Sequence, residues 1–253
     1  MSMKHHRSHS NPHFEGQSFQ HATPQVQAMT TDPYIRGTAA DEWIYGTNGA
    51  ETIEGLGGFD QLFGLGGNDQ LFGGDGGDKL YCDVGDDTAY GGMSNDAMWG
   101  GPGNDMLFGE PGNDHLLGED GNDTLWGGTG KDTLNGGIGA DVMLGGYGWA
   151  DTFAFINPNE VGIEPGTRDV IVDFEDGIDK ISLAGMDADS IHSGNNVFRF
   201  GDTGLHDGKP GSVRVVVYEG NTFVMADRDG DKVSDFSIQL DGVHVLTASD
   251  FFL

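Results

Sequence analysis

Aliphatic residues recur at every ninth position through the middle of the chain. Leu62, Leu71, Leu80, Met98, Leu107, Leu116, Leu125, Leu134 and Met143 fill these positions, with Ala89 as the one small member. Each is the centre of a three-residue run such as MLF or TLW. Three residues suffice for a very short strand, whose middle side chain points to one face and whose flanks point to the other. The pattern therefore predicts a stack of short strands with one continuous aliphatic core.

The other six residues of each unit must reverse the chain. Glycine stands first and fourth, where positive φ and close backbone approach are expected. An aspartate stands sixth. The frame runs from Gly37 to Phe153, opening with GTAADEWIY and GTNGAETIE, which carry Glu42 and Glu51 in the aspartate slot. Ten clearer units follow, from GLGGFDQLF at Gly55 to GGIGADVML at Gly136. The last, GGYGWADTF, moves its aspartate one place to Asp151. Degenerate end units suit a stacked array, because an end unit has a neighbour on one side only. The reading divides the chain into a flexible polar segment at 1–36, a roll at 37–153 and a β-rich cap at 154–253. In the cap DVIVDF, DKISL, NVFRF, SVRVVVYEG and NTFVMAD read as strands, with a hairpin turn at Glu219-Gly220-Asn221.

Composition sharpens the question that the aspartates raise. Forty-five of 253 residues are glycine, and the formal charge is −29 from 41 acidic and 12 basic side chains. Such a surface disfavours nucleic acid and anionic membrane as partners. Aspartates in stacked turns about 4.8 Å apart would repel one another strongly. Those turns also expose backbone carbonyls, so an oxygen-lined slot forms between neighbours. A hard cation fits it, and calcium suits an irregular, backbone-rich slot better than magnesium. The candidate ligands are Asp60, Asp69, Asp78, Asp87, Asp96, Asp105, Asp114, Asp123, Asp132 and Asp141. Backbone carbonyls near Gly55, Gly57, Gly64, Gly66, Gly73, Gly100, Gly109, Gly118, Gly127 and Gly136 complete the set. Cation binding would then supply folding free energy, leaving the metal-free array largely disordered.

The units resemble the RTX nonapeptide GGxGxDxUx, a calcium-binding repeat. The resemblance implies an all-β fold, a parallel β-roll in which two units make one coil. Alternate units then share an edge, with Asp60, Asp78, Asp96, Asp114 and Asp132 on one and Asp69, Asp87, Asp105, Asp123 and Asp141 on the other. A cation between consecutive same-edge turns gives about eight calcium sites. Ser94 at a fourth position, Cys82-Asp83 at the start of one unit, and Glu42 and Glu51 depart from the pattern. DTFAF…RDVIVDFEDGIDKISLAGMDA and YEGNTFVMADRDGDKVSDFSIQLDGVHVLTASDFFL resemble the C-terminal domain of the serralysin metalloproteases. Asp250-Phe251-Phe252-Leu253 is similar to that family's terminal secretion signal. The resemblance implies a serralysin-like cap, contact with type I secretion machinery and an extracellular location outside a Gram-negative cell.

Other features bear on catalysis and partners. The catalytic half of the serralysins is not matched: HExxH does not occur, and His6 stands where its glutamate would be in HHRSH. His5, His9 and His13 read as part of a polar tail, with adventitious metal binding as the alternative. No nucleophile–base pair stands out, no stretch is apolar enough for a transmembrane helix, and the N-terminus lacks a signal-peptide core. Cys82 excludes an intrachain disulfide and reads as a tolerated substitution. DRDGDKVSD at 227–235 misses the EF-hand pattern and reads as a turn, with an extra ion as the alternative. Position nine is often aromatic. Phe63, Tyr81 and Trp99 should stack on one sheet, and Phe72, Tyr90, Phe108 and Trp126 on the other. Cross-strand packing is one reading; a surface for an extracellular polysaccharide, a host surface or another subunit is the second. The functional expectation is a secreted, noncatalytic calcium-binding protein with an interaction or matrix role. An extracellular enzyme, or a delivery module for a separate catalytic partner, is the alternative.

Overall fold

A computed structural model describes residues 25–27, 33–157, 162–164, 166–186, 198–200, 206 and 208–253. The tail histidines His5, His9 and His13 lie outside the described residues, as does His192. Among the described residues the chain forms two sheets that wind around one core.

The first sheet stacks Gln25–Gln27, Trp43–Tyr45, Gln61–Phe63, Lys79–Tyr81, Ala97–Pro102, His115–Asp120, Thr133–Ile138, Thr152–Ala154, Lys180–Ser182 and Phe251–Phe252 in that order. The second runs Tyr34–Arg36, Thr52–Gly57, Gln70–Asp75, Thr88–Met93, Met106–Pro111, Thr124–Thr129, Val142–Leu144, Val170–Ile171 and Phe236–Leu240. It then continues through Asn221–Asp227, Ser212–Tyr218 and Arg199–Phe200. Successive units alternate between the sheets, so residues 18 apart become parallel neighbours, as in Leu62↔Leu80 and Leu107↔Leu125. This is the parallel β-roll that the RTX resemblance implies.

The predicted core is present. Leu62, Leu71, Leu80, Ala89, Met98, Leu107, Leu116, Leu125, Leu134 and Met143 all have 0% exposure. The column reaches further than the nonapeptide frame. Ile35 pairs with Ile53 at the start, although the sequence suggested a weakly ordered lead-in through residue 36. Ile35 stands nine residues before Ile44, and that one well-placed aliphatic residue is enough to pair its strand. At the far end Leu134 pairs with Phe153, Phe153 with Ile181, and Ile181 with Phe251. Met143 pairs with Ile171, and Ile171 with Leu240. Strands after residue 153 thus extend both sheets and supply the last layers of the core.

Among the described residues, antiparallel pairing appears only at the end of the second sheet. Ser212–Tyr218 and Asn221–Asp227 form a hairpin about Glu219 and Gly220, both at positive φ (52° and 87°). Positive φ at both central residues matches the right-handed twist of hairpin strands. Residues 228–235 join the next antiparallel pair, Asn221–Asp227 with Phe236–Leu240, so DRDGDKVSD is a turn between strands as expected.

Candidate metal centre

The turns position one carboxylate per unit, and the geometry repeats. The backbone N–H of Asp60 donates to Asp78 Oδ1 at 2.8 Å, Asp78 to Asp96 at 2.7 Å, and Asp96 to Asp114 at 2.8 Å. Asp114 then donates to Asp132 at 2.8 Å. The other edge runs Asp69 to Asp87, Asp87 to Asp105, Asp105 to Asp123 and Asp123 to Asp141, at 2.6 to 2.8 Å. All ten sequence-predicted aspartates therefore lie in two columns, five to each edge, and all are at most 3% exposed.

Only one oxygen of each carboxylate is used by the ladder. Oδ2 of Asp60, Asp69, Asp78, Asp87, Asp96, Asp105, Asp114, Asp123 and Asp132 is buried with no hydrogen-bond partner. A buried charged oxygen without a partner is costly, and repetition of that cost at every rung requires an explanation. A cation placed beside each Oδ2 removes it.

The glycines explain how the slot is kept open. A Cβ on Gly109 would lie 2.5 Å from Asp114 Oδ2 and 2.5 Å from the Gly127 carbonyl oxygen. On Gly118 it would lie 2.2 Å from Asp123 Oδ2 and 2.3 Å from the Gly136 oxygen. First-position glycine therefore makes room for its own unit's carboxylate and the next coil's carbonyl. This differs from the sequence reading in one respect: positive φ is not what these first positions need, since none of them adopts it. Positive φ falls on the second position as well as the fourth. Leu56, Leu65, Asp83, Glu110 and Glu119, all second residues, have φ from 67° to 80°. The expected carbonyls of Gly55, Gly64, Gly73, Gly109, Gly118, Gly127 and Gly136 each face the first glycine of the preceding coil on their edge. Those of Cys82, Gly91 and Gly145 do the same and were not anticipated. The donor set is oxygen only, and it fits calcium.

Electrostatics follow from this packing. Burial pushes the carboxyls of Asp114 and Asp123 up to about 8, against the lowering effect of the backbone N–H each accepts. Asp69, Asp96 and Asp105 rise to about 7 for the same reason. Asp60, Asp87 and Asp132 rise to about 6. Metal-free, Asp114 and Asp123 hold protons at neutral pH. Cys82 fills a first position and is fully buried. Burial, with Asp87, Asp105 and Asp69 nearby, pushes its thiol well up, so it stays protonated.

The ends of the columns differ chemically from the middle. Glu42 accepts from Thr38 N at 2.6 Å and Thr38 Oγ1 at 2.9 Å, so both its oxygens are held. Glu51 is held likewise by Thr47 N at 3.0 Å and Thr47 Oγ1 at 2.5 Å. Threonine four residues ahead of each glutamate was the available signal. Beyond Asp132 and Asp141 the ladder continues through Asp151 and Asp169, and from Asp151 to Asp179. The sequence analysis placed Asp151 in the aspartate slot of the last unit without naming it as a ligand, and it missed Asp169 and Asp179.

The position-nine rings stack as predicted, with Tyr45 added. Tyr45–Phe63, Phe63–Tyr81 and Tyr81–Trp99 have centroids 4.6 to 4.8 Å apart and planes within 6°. On the other sheet Phe72–Tyr90 and Tyr90–Phe108 are similar, at 5.0 and 4.9 Å. Rings this close cover each other's faces, which supports the packing reading. The stack opens at Phe108–Trp126, 6.3 Å apart and tilted by 53°. There a groove of about 600 Å³ is lined by Phe108, Trp126, Tyr147, Glu110 and Asp173 among others.

Elsewhere, Asp227, Asp229 and Asp235 bring carboxylate oxygens within 4.8 Å of one another. The Asp227 oxygens accept from Gly230 N and Lys232 N, and Asp235 Oδ2 from Arg228 N. Loop amides thus hold this cluster. His206 is buried between the Ser212 and Ser234 hydroxyls, at 2.8 and 3.0 Å, and His244 meets Asp176 at 2.6 Å. His115 is exposed on its strand.

Fold and site together define a parallel β-roll with oxygen-lined slots between its coils. Residues 45–80, 83–107 and 108–143 match the family described as RTX calcium-binding nonapeptide repeat (4 copies). The chain carries RTX calcium-binding repeats. No curated protein matches it. Among solved structures it is similar to the AlgE6R2 subunit of the Azotobacter vinelandii mannuronan C5-epimerase, at 24% identity. That match covers 86% of this chain and 90% of the other, with a TM-score of 0.34. The AlgE6R3 subunit of the same epimerase is similar at 23% identity, covering 90% and 82%, with a TM-score of 0.27. No helix among the described residues is long and apolar enough to cross a membrane.

Proposed function

We propose that this is a secreted calcium-binding protein that folds when it meets calcium after type I export, and that it acts through binding rather than catalysis. Asp60, Asp69, Asp78, Asp87, Asp96, Asp105, Asp114, Asp123, Asp132 and Asp141 hold the ions, together with first-position carbonyls, in about eight sites. The observation that carries this reading is the row of buried, unpartnered Oδ2 atoms facing glycines that could not carry a side chain. RTX repeats support the calcium part directly. Calcium is scarce inside cells and plentiful outside, so the chain stays unfolded for export and folds on arrival. An extracellular polysaccharide or a host surface is the partner this role calls for, and the open end of the aromatic stack at Trp126 is where ring faces are free to meet one.

Circular dichroism during a calcium titration, with magnesium as the control, tests the proposal. Strand signal should appear with calcium and not with equal magnesium. Strand signal present at pH 8 before any ion is added, or raised equally by both, would overturn the folding switch.

A further inference from the structure

The metal column does not stop where the nonapeptide stops. Asp151 belongs to GGYGWADTF, a unit with one extra residue, and lies outside the residues matched as repeats. It is nevertheless 0% exposed, and its Oδ1 accepts from Asp132 N at 2.9 Å. Its Oδ2 is buried without a hydrogen-bond partner, like those of the nine repeat aspartates from Asp60 to Asp132. Gly145 leaves the space beside it, since a Cβ there would lie 2.5 Å from that oxygen.

The far wall of this slot comes from 28 residues downstream. Asp151 N donates to Asp179 Oδ1 at 3.0 Å. Gly145 N and Gly146 N donate to the two oxygens of Asp173, at 2.9 and 3.0 Å, and Gly148 N to Glu175 at 2.6 Å. Asp179 differs from Asp151 in one respect: its second oxygen accepts from Glu175 N at 2.8 Å. The unsatisfied charge on this edge thus ends at Asp151, and Asp179 closes the column with both oxygens held.

We propose that Asp151 holds a further divalent cation, of the hard, oxygen-seeking calcium class, in a slot between the 145–151 turn and the 173–179 turn. This rests on the calcium reading of the repeats and adds a consequence to it. The turn at 173–179 leads into Lys180–Ser182, which pairs with the terminal strand Phe251–Phe252. A cation at Asp151 therefore fastens the last layers of the core to the roll, and the end of the molecule closes only when metal is bound.

The full chain tests this with Asp151→Asn, which keeps an oxygen for the Asp132 amide and removes the charge. Native mass spectrometry should count one calcium fewer than in the wild type. Hydrogen exchange with calcium present should be at least tenfold faster in 152–182 and 251–252, with 60–123 unchanged. Terbium gives a second readout, because Trp149 is half exposed two residues from Asp151. Trp149→Phe should lower the tryptophan-sensitised terbium signal at saturation. Unchanged stoichiometry and exchange in Asp151→Asn, or an unchanged terbium signal in Trp149→Phe, would overturn this site alone. A wild type that takes up no calcium would overturn the functional reading with it.

Discussion

At the scale of single residues, each repeat aspartate does two separable things. Oδ1 accepts a neighbouring coil's amide, and Oδ2 is left for an ion. Asparagine retains the first role and loses the second. Asp105→Asn should therefore weaken calcium binding while making the metal-free chain easier to fold, because it removes one buried charge. Calcium titration by dichroism reads the affinity, and metal-free strand content at pH 8 reads the ease of folding; both falling together would contradict the division of roles. Gly118→Ala tests the slot itself. Its methyl would meet a carboxylate oxygen and a carbonyl oxygen at 2.2 and 2.3 Å, so the calcium-loaded fold should lose about 1–3 kcal/mol or more. A loss below about 0.5 kcal/mol would show that the slot is looser than it looks.

At the scale of the element, the six-residue turn carries a local cost that its sequence does not advertise. Non-glycine residues in the left-handed region cost roughly 1–2 kcal/mol each, and five second positions bear it. Glu119 is exposed at φ 77°. Glu119→Gly relieves that strain, while the looser unfolded chain takes back about 0.4–1 kcal/mol. The net expectation is a gain of about 0.5–1 kcal/mol in the loaded state, measured by chemical denaturation. The same turn shows what was legible in the sequence. The aliphatic column follows from the nine-residue period, and the two carboxylate columns and both ring stacks follow once the RTX resemblance sets two units, 18 residues, to a coil. Asp169 and Asp179 were not legible as ladder members. Their spacing from the preceding rungs is 28, since polar loops are inserted between strands that still pair in register. Only contact restores their place. Ile35 was missed for a different reason: it keeps the nine-residue spacing ahead of Ile44 and Ile53, but its unit, AMTTDPYIR, lacks the first and fourth glycines and the sixth-position aspartate that mark the frame.

At the scale of the whole molecule, the folded-state carboxyls lie above the ordinary aspartate value of about 3.9. The folded, metal-free chain therefore binds more protons than the unfolded chain between about pH 4 and the folded values near 6 to 8. Stability of the metal-free roll is then greatest at the acid end of that window, and is lost as pH rises through 6 to 8 and the buried carboxyls ionise. Calcium acts in the other direction, because it must displace those protons and binds more tightly as pH rises. The two dependences cross. Without calcium, acidification from pH 8 to pH 5 should raise strand content; with saturating calcium the same step should lower stability. Far-ultraviolet dichroism and thermal melting along both series check this. A metal-free chain that melts higher at pH 8 than at pH 5 would mean that the columns are not the desolvated, self-repelling rows described, and that something other than metal offsets their charge.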